Sequence, residues 1–337
     1  MPAAADGTTV LPQLEPRLQP RIVRVAAAQF EPVPFDLEAN IAKACKYITE
    51  AGHKGAKLIA FAECAIPGYP YWIWTRSIDM EMAEKYMNNC LKVDSPQFQL
   101  LCAAAKEAKV SVHLGFSEHY NRTLYIASAM IGADGEIKMT RRKIKPTHME
   151  RTIFGDGSGA SLMNVVDIRG IGKVGGLNCW EHTQPLLRYH TYSQGEEIHV
   201  AAWPAMLSWE SGKSPYHTAA EGKEALEQIH SVEGSCFSLY VNSILPQSTI
   251  DLQNCKEGAL FNKPGGGLTQ IFAPDGSPLE TYVQTLKEDE EGLVIADLDL
   301  REIDRAKHYL DTHGHYSRPD LLWLGVDKRE KKHVRYE

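Results

Sequence analysis

Three residues at the ends of apolar runs have the types needed to attack an electrophilic carbon: Cys179, Glu63 and Lys143. Cys179 follows Val174-Gly175-Gly176-Leu177-Asn178, Glu63 follows Leu58-Ile59-Ala60-Phe61-Ala62, and Lys143 stands in Arg141-Arg142-Lys143-Ile144-Lys145. A thiol with a pKa near ~8.5 is only slightly ionised at neutral pH, so it needs a proton acceptor or a nearby positive charge to become a nucleophile. Glu63 offers the first and Lys143 the second. On this reading Lys143 depresses the pKa of Cys179.

Taken singly, each residue has a plainer explanation. A cysteine at a strand end is usually a small buried hydrophobe, and a glutamate or lysine there usually marks a segment coming to the surface. The flanking residues change the balance. From Glu63 the chain reads Cys64-Ala65-Ile66-Pro67-Gly68-Tyr69-Pro70-Tyr71-Trp72-Ile73-Trp74, and from Lys143 it runs through Pro146-Thr147-His148-Met149-Glu150-Arg151 to Gly155-Asp156-Gly157. Cys179-Trp180-Glu181-His182 is followed by Gln184-Pro185-Leu186-Leu187 and then by His199-Val200-Ala201-Ala202-Trp203-Pro204. In this order the motifs resemble a nitrilase of the carbon-nitrogen hydrolase superfamily, from about Val23 to about Leu324.

The resemblance implies that Cys179 adds to a nitrile carbon while Glu63 takes the thiol proton, giving a thioimidate and then a thioester that water opens to a carboxylic acid. It gives Lys143 the charge developing on the substrate, and Glu150 the task of holding Lys143 and the attacking water. Tyr69, Trp180 and Trp203 are expected to wall an apolar pocket for an aromatic or arylaliphatic nitrile. His182 stands where cyanide hydratases resembling this chain carry Asn, which favours organic nitriles over cyanide. A cyanide hydratase, an amidase or carbamoylase of the superfamily, or an inactive oligomeric scaffold of the same fold, are the alternative readings. The chain departs from the usual pattern at Ala62, where a proline commonly precedes the glutamate, and at Cys64, a second thiol beside it.

The elements that must position these residues alternate. Ile22 to Gln29 reads as a buried strand, Leu37 to Gly52 as a helix with Ile41, Ala44, Cys45 and Ile48 on one face, and Leu58 to Phe61 as the strand that delivers Glu63. Gln97 to Ala108 is helical, and Val110 to Gly115 and Leu124 to Ile131 are extended, the latter ending in the turn Ala133-Asp134-Gly135. Val174 to Asn178 feeds Cys179, Pro185 to Gly195 is a helix, and His199 to Ala202 a strand. A polar helix around His217 to Ser231 precedes strands at Phe237 to Val241, Thr269 to Phe272 and Leu293 to Ala296. Alternation of this kind implies one α/β domain with helices covering sheets. The resemblance sharpens it to a four-layer αββα sandwich spanning 21–325, with residues 1–20 and 326–337 as tails, and implies homodimers that assemble further.

Composition agrees with a globular enzyme. With 337 residues and 43% hydrophobic content the chain can bury a large core. A net charge of −7 argues against binding a phosphate backbone, so no nucleic-acid partner is expected. Seven scattered cysteines (Cys45, Cys64, Cys90, Cys102, Cys179, Cys236 and Cys255) form no C-x-x-C pair and suit a reducing cytoplasm without disulfides. His313-Gly314-His315 lacks the companions of a metal site and reads as structural, and the glycine runs at 155–159 and 265–267 read as turns. No cofactor, metal or membrane partner is expected.

Overall fold

The computed structural model describes residues 21–210, 214–279, 286–330 and 334, so the expected tail 1–20 lies outside the described residues. Alternation along the first strand, β1 (Ile22–Gln29), decides the layering. Val23, Val25 and Ala27 enter one apolar cluster and Ala26 and Ala28 another, so both faces of the strand are covered. The face of Ala26 and Ala28 meets α1 (Leu37–His53), where Asp36 caps the first turn by accepting the Ala39 N–H and Ile41, Ala44, Ile48 and Ala51 form the buried stripe.

The first sheet grows in parallel from β1 to β2 (Leu58–Ala60) and on to β3 (Ser111–Tyr120). Between β2 and β3 lie α2 (Met80–Asn89) and α3 (Pro96–Ala108), the latter capped by Ser95 with Pro96 in its first turn. β4 (Thr123–Ile131) and β5 (Ile137–Arg142) extend the sheet antiparallel. In the second sheet β6 (Val165–Ile168) pairs antiparallel with β7 (Gly172–Asn178), and α4 (Pro185–Ser193) follows. β8 (Ile198–Trp203), α5 (Ala220–Gly234) and β9 (Phe237–Asn242) continue it in parallel from β7. After α6 (Gln247–Leu252), β10 (Gln270–Phe272) closes that sheet antiparallel to β9. β11 (Gly292–Asp299) returns to the first sheet beside β1, and α7 (Arg301–Tyr309) follows it.

The two sheets face each other through Val23, Val25, Leu58, Ala60, Val174, Val200, Leu239 and Leu298. Helices α1 and α3 cover the outer face of the first sheet, and α4 and α5 pack on β7 and β9 of the second. This is the four-layer αββα sandwich. α2 and α7 carry no strong apolar stripe, because each buries one residue, Tyr86 and Ile303 respectively; periodicity therefore does not announce them.

Two glycines bring the site together by close approach. A Cβ on Gly115 of β3 would lie 2.1 Å from the Ala62 carbonyl oxygen, so the strand end bearing Glu63 seats only against glycine. A Cβ on Gly157 would lie 2.8 Å from the Lys143 carbonyl oxygen, whose partner is the Gly157 N–H at 2.9 Å. The run at 155–159, expected to be a turn, is irregular loop up to Ser158 and enters a short 3₁₀ helix at Gly159; Gly157 within it braces Lys143. Among the described residues no helix is long and apolar enough to cross a membrane.

Candidate active site

Cys179 stands one residue beyond β7 with φ of 50°, a left-handed conformation that a non-glycine residue adopts only where its surroundings enforce it. The strand turns there into a short 3₁₀ helix, Cys179–Thr183, closed by a capping box in which the Glu181 carboxylate accepts the Asn178 N–H at 2.9 Å. The same carboxylate accepts the Ile144 N–H at 2.8 Å and both forks of the Arg141 guanidinium at 2.7 and 2.8 Å. One buried carboxylate therefore ties the backbone before Cys179 to the backbone after Lys143. Burial opposes its ionisation, but Arg141 and the backbone N–H donors hold Glu181 below the usual carboxylate range.

Lys143 follows β5 and is fully buried with Glu63 and Glu150. Its Nζ donates to Glu63 Oε2 at 3.0 Å and to Glu150 Oε2 at 2.9 Å. Glu150 lies in another 3₁₀ turn capped by Thr147, whose N–H reaches the same oxygen at 2.6 Å. Its other oxygen accepts the Tyr69 hydroxyl at 2.8 Å, and the Trp74 indole N–H donates to that hydroxyl at 3.2 Å. The Cys179 sulfur and an oxygen of each of Glu63 and Glu150 lie within 4.8 Å of one another. The structure thus brings Cys179, Glu63, Lys143 and Glu150 into one buried constellation. In this donor set the Lys143 ammonium takes the place a cation would occupy.

The electrostatics correct one expectation. Burial pushes the Cys179 thiol well up; Lys143 pulls it down, but the Glu63 and Glu150 carboxylates push with the burial. The net direction is upward because burial outweighs the pull of Lys143, and the two carboxylates add to it. Glu63 is raised to about 8, chiefly by burial, with Lys143 opposing and Glu150 adding. Burial works against the Lys143 ammonium too, yet Glu150 and Glu63 hold it well above its ordinary value. In this setting a thiol and a carboxyl both resist ionisation, which favours passing a single proton between them.

A cavity of about 200 Å³ opens on Cys179 and is lined by Tyr69, Trp74, His148, Trp180, Lys223 and Phe261 among others. Tyr69 and Trp180 stand where the sequence suggested. Trp203 and His182 do not line it. Trp203 is fully buried behind Trp180, with its indole N–H on Glu227 at 2.8 Å and its ring stacked on His182. His182 sits beneath Cys179: its Nδ1 donates to the Cys179 carbonyl at 2.7 Å and its Nε2 meets His199 Nε2 at 2.9 Å. A carbonyl can only accept, so the proton is on Nδ1 and His199 supplies the proton of the second bond. Burial holds His182 neutral, well below its usual range. Beyond it, His199 Nδ1 lies 2.9 Å from Glu196, which also takes His230 Nε2 at 2.7 Å. These histidine–carboxylate groupings have metal-ligand atom types but pair with one another.

Several site residues escape sequence reasoning. Trp74 and Phe261 belong to aromatic segments with no distinguishing spacing; Trp74 stacks on His148 at 5.6 Å and edges Phe261 at 5.9 Å. Lys223 is less expected: α5 buries Lys223, Glu227, His230 and Ser231 on one face, a polar stripe turned inward. Spacing of i, i+4, i+7 and i+8 is the signal that could have found them. Cys64, in contrast, is fully buried with its thiol held far up by burial. His313 is tied to Lys307 and packs on Tyr192, as a structural residue would.

The carbon-nitrogen hydrolase family matches residues 24–308. An arylacetonitrilase of Aspergillus kawachii is 50% identical over 313 residues, covering 93% of this chain and 94% of that protein. An arylacetonitrilase of Hypocrea virens is 49% identical over 94% of each chain. Among solved structures, a carbon-nitrogen hydrolase from Helicobacter pylori superposes with a TM-score of 0.67 at 15% identity, covering 89% of this chain and 96% of that one. An amidase from a Nesterenkonia species superposes with a TM-score of 0.58 at 17% identity over 85% and 95% of the two chains. At such identities the superpositions speak to the fold.

Proposed function

We propose, for a chain that belongs to the carbon-nitrogen hydrolase family, that it is a nitrilase converting organic nitriles, arylacetonitriles foremost, to carboxylic acids and ammonia. The observation that carries the reading is the convergence of the Cys179 sulfur with the Glu63 and Glu150 carboxylates around the Lys143 ammonium. In the first step Glu63 takes the thiol proton as sulfur bonds to the nitrile carbon, and the proton passes on to the nitrogen, giving a thioimidate. Water adds to the imidate carbon as Glu63 takes one of its protons and passes it to nitrogen; the remaining hydroxyl proton follows to nitrogen as the C–N bond breaks, so ammonia leaves and a thioester remains. A second water opens the C–S bond, and the proton returns to sulfur as the acid departs.

Each side chain has a separate task in this sequence. Lys143 stabilises the negative charge that grows on nitrogen and later on oxygen, a contribution of ~2.7–4 kcal/mol for one such donor. Glu150, tied down by Thr147 and Tyr69, positions the ammonium. The cavity walls of Trp74, Trp180 and Phe261 suit an aromatic ring. Trp203 and His182 act from behind, His182 by fixing the carbonyl of the nucleophile. Incubation of the purified protein with phenylacetonitrile and separate quantification of acid, amide and ammonia tests the reading: acid and ammonia in equal amounts support it. Amide as the main product, or turnover of phenylacetamide alone, contradicts it.

Residues 21–325 make up the catalytic domain on this reading, and the protein works as a homo-oligomer in the cytoplasm. Exposed Leu321, Leu322 and Trp323, consecutive in the chain, support an association surface, since such side chains are seldom left in water together. Light scattering on the eluted protein checks the assembly; a monomer at micromolar concentration contradicts it.

A further inference from the structure

The inward polar stripe of α5 carries an ammonium, Lys223, with no carboxylate in ion-pair contact among the described residues. Arg141 is paired with Glu181, and Lys143 with Glu63 and Glu150. Lys223, only 1% exposed, has no ion pair among the described residues. Its ammonium donates to the His217 carbonyl and lies 3.0 Å from the centre of the Trp180 ring and 5.1 Å from that of Trp203. An ammonium has three N–H donors. A carbonyl and an indole face engage part of that capacity without neutralising the charge, and buried charges are ordinarily paired. Lys223 lines the same cavity as Cys179, so the missing anion can come from whatever fills that cavity.

Hydrolysis supplies one. Opening the thioester breaks the C–S bond, forms a C–O bond from water and returns a proton to sulfur; the acid released gives its remaining proton to solvent at neutral pH. A carboxylate then stands in a cavity lined by Lys223, whereas Lys143 lies behind the lining residue Glu150 and is already held by Glu63 and Glu150. We propose that Lys223 is a carboxylate subsite of the nitrile pocket. The carboxylate is either the product acid itself or a group carried by the substrate. The proposal rests on the nitrilase reading and deepens it, adding an anion-recognising element to a pocket otherwise walled by aromatic rings. Burial lowers the Lys223 ammonium to about 8, with Cys179 and Glu227 opposing, so it remains mostly charged at neutral pH.

The test uses the full chain with Cys179→Ser, which binds without turnover, and compares phenylacetate with the isosteric neutral phenylacetamide by calorimetry at pH 7. The carboxylate binds about tenfold tighter, as a charge-assisted hydrogen bond allows. Adding Lys223→Met removes the preference, and Lys223→Arg keeps most of it. In the protein with Cys179 intact, 4-(cyanomethyl)benzoate and phenylacetonitrile are then compared as substrates. A drop of about tenfold in their kcat/KM ratio on Lys223→Met identifies the substrate's own carboxylate as the source; an unchanged ratio identifies the product. Equal binding of acid and amide together with a kcat/KM ratio unchanged by Lys223→Met, or a binding preference that survives Lys223→Met in a protein with an intact melting transition, overturns the proposal. Should Lys223→Met not fold, a crystal structure of the Cys179→Ser protein with phenylacetate decides: a carboxylate oxygen about 3 Å from Lys223 Nζ supports it, and a carboxylate held by Lys143 alone overturns it. Failure of the unaltered enzyme to hydrolyse any nitrile would sink the nitrilase reading while leaving the binding comparison readable.

Discussion

At the scale of residues, the proposed mechanism shares one proton between Cys179 and Glu63, both of which resist ionisation. Glu63 is raised to about 8 and burial pushes the Cys179 thiol well up, so the thiol needs a neighbouring base whose own proton affinity has been raised. The activity should therefore rise along an acid limb with an apparent pKa near 8, read from kcat/KM against pH. Glu63→Gln should abolish that limb and lower kcat/KM by ~10²–10⁴, the usual worth of general-base assistance; a retained limb would assign the ionisation elsewhere. Lys143→Gln should lower kcat by ~10²–10³, from the loss of ~2.7–4 kcal/mol of charge stabilisation. The identities of Cys179, Glu63, Lys143 and Glu150 are legible in the sequence, because each lies in a distinctive motif. The direction of the thiol's shift is not, since it depends first on how deeply the fold buries the sulfur and then on the carboxylates set beside it.

At the scale of elements, the site is made by strand ends and by the clamp between them. Glu181 joins the loop of Cys179 to the loop of Lys143 through Asn178, Ile144 and Arg141, and it is fully buried with its partner. Glu181→Gln leaves the Arg141 guanidinium buried without its charge, which costs ~3–5 kcal/mol in comparable broken pairs. A matching loss in urea-unfolding free energy, with kcat reduced even where the chain remains folded, is the expected result. Stability unchanged within 1 kcal/mol on that scale would show that the clamp matters little. The strands that carry the site are readable from apolar runs, and β1 spans Ile22–Gln29 as the pattern predicts. α5 is harder, because its buried face holds Lys223, Glu227 and His230 in place of the apolar residues by which an inward face is recognised. The Trp203 and His182 positions show the related limit: adjacency to Cys179 in sequence or motif does not tell front from back of a sheet.

At the scale of the molecule, burying a carboxyl in this constellation links folding to pH. Glu63 has a folded pKa of about 8 against an ordinary value of 4.5, so the folded chain binds more protons than the unfolded one between those values. Its contribution to stability is fully present below about 4.5 and is lost as pH rises through about 8. Melting temperatures of the unaltered protein and Glu63→Gln, compared from pH 5 to 8, should diverge, with the unaltered protein falling more steeply. Parallel curves would mean that Glu63 titrates normally. The sandwich itself is legible only through resemblance, because alternation of helix and strand fits a doubly wound sheet equally well, and the two-sheet packing of Val25 and Leu58 against Val200 and Leu239 has no local signature. The claim on which all three scales depend is a covalent bond between substrate carbon and the Cys179 sulfur. Acid-quenching the enzyme during turnover of phenylacetonitrile and sequencing the modified peptide by mass spectrometry measures it directly: the account predicts an acyl or imidoyl group on Cys179, and acid formation with Cys179 unmodified and replaceable by Ala contradicts it.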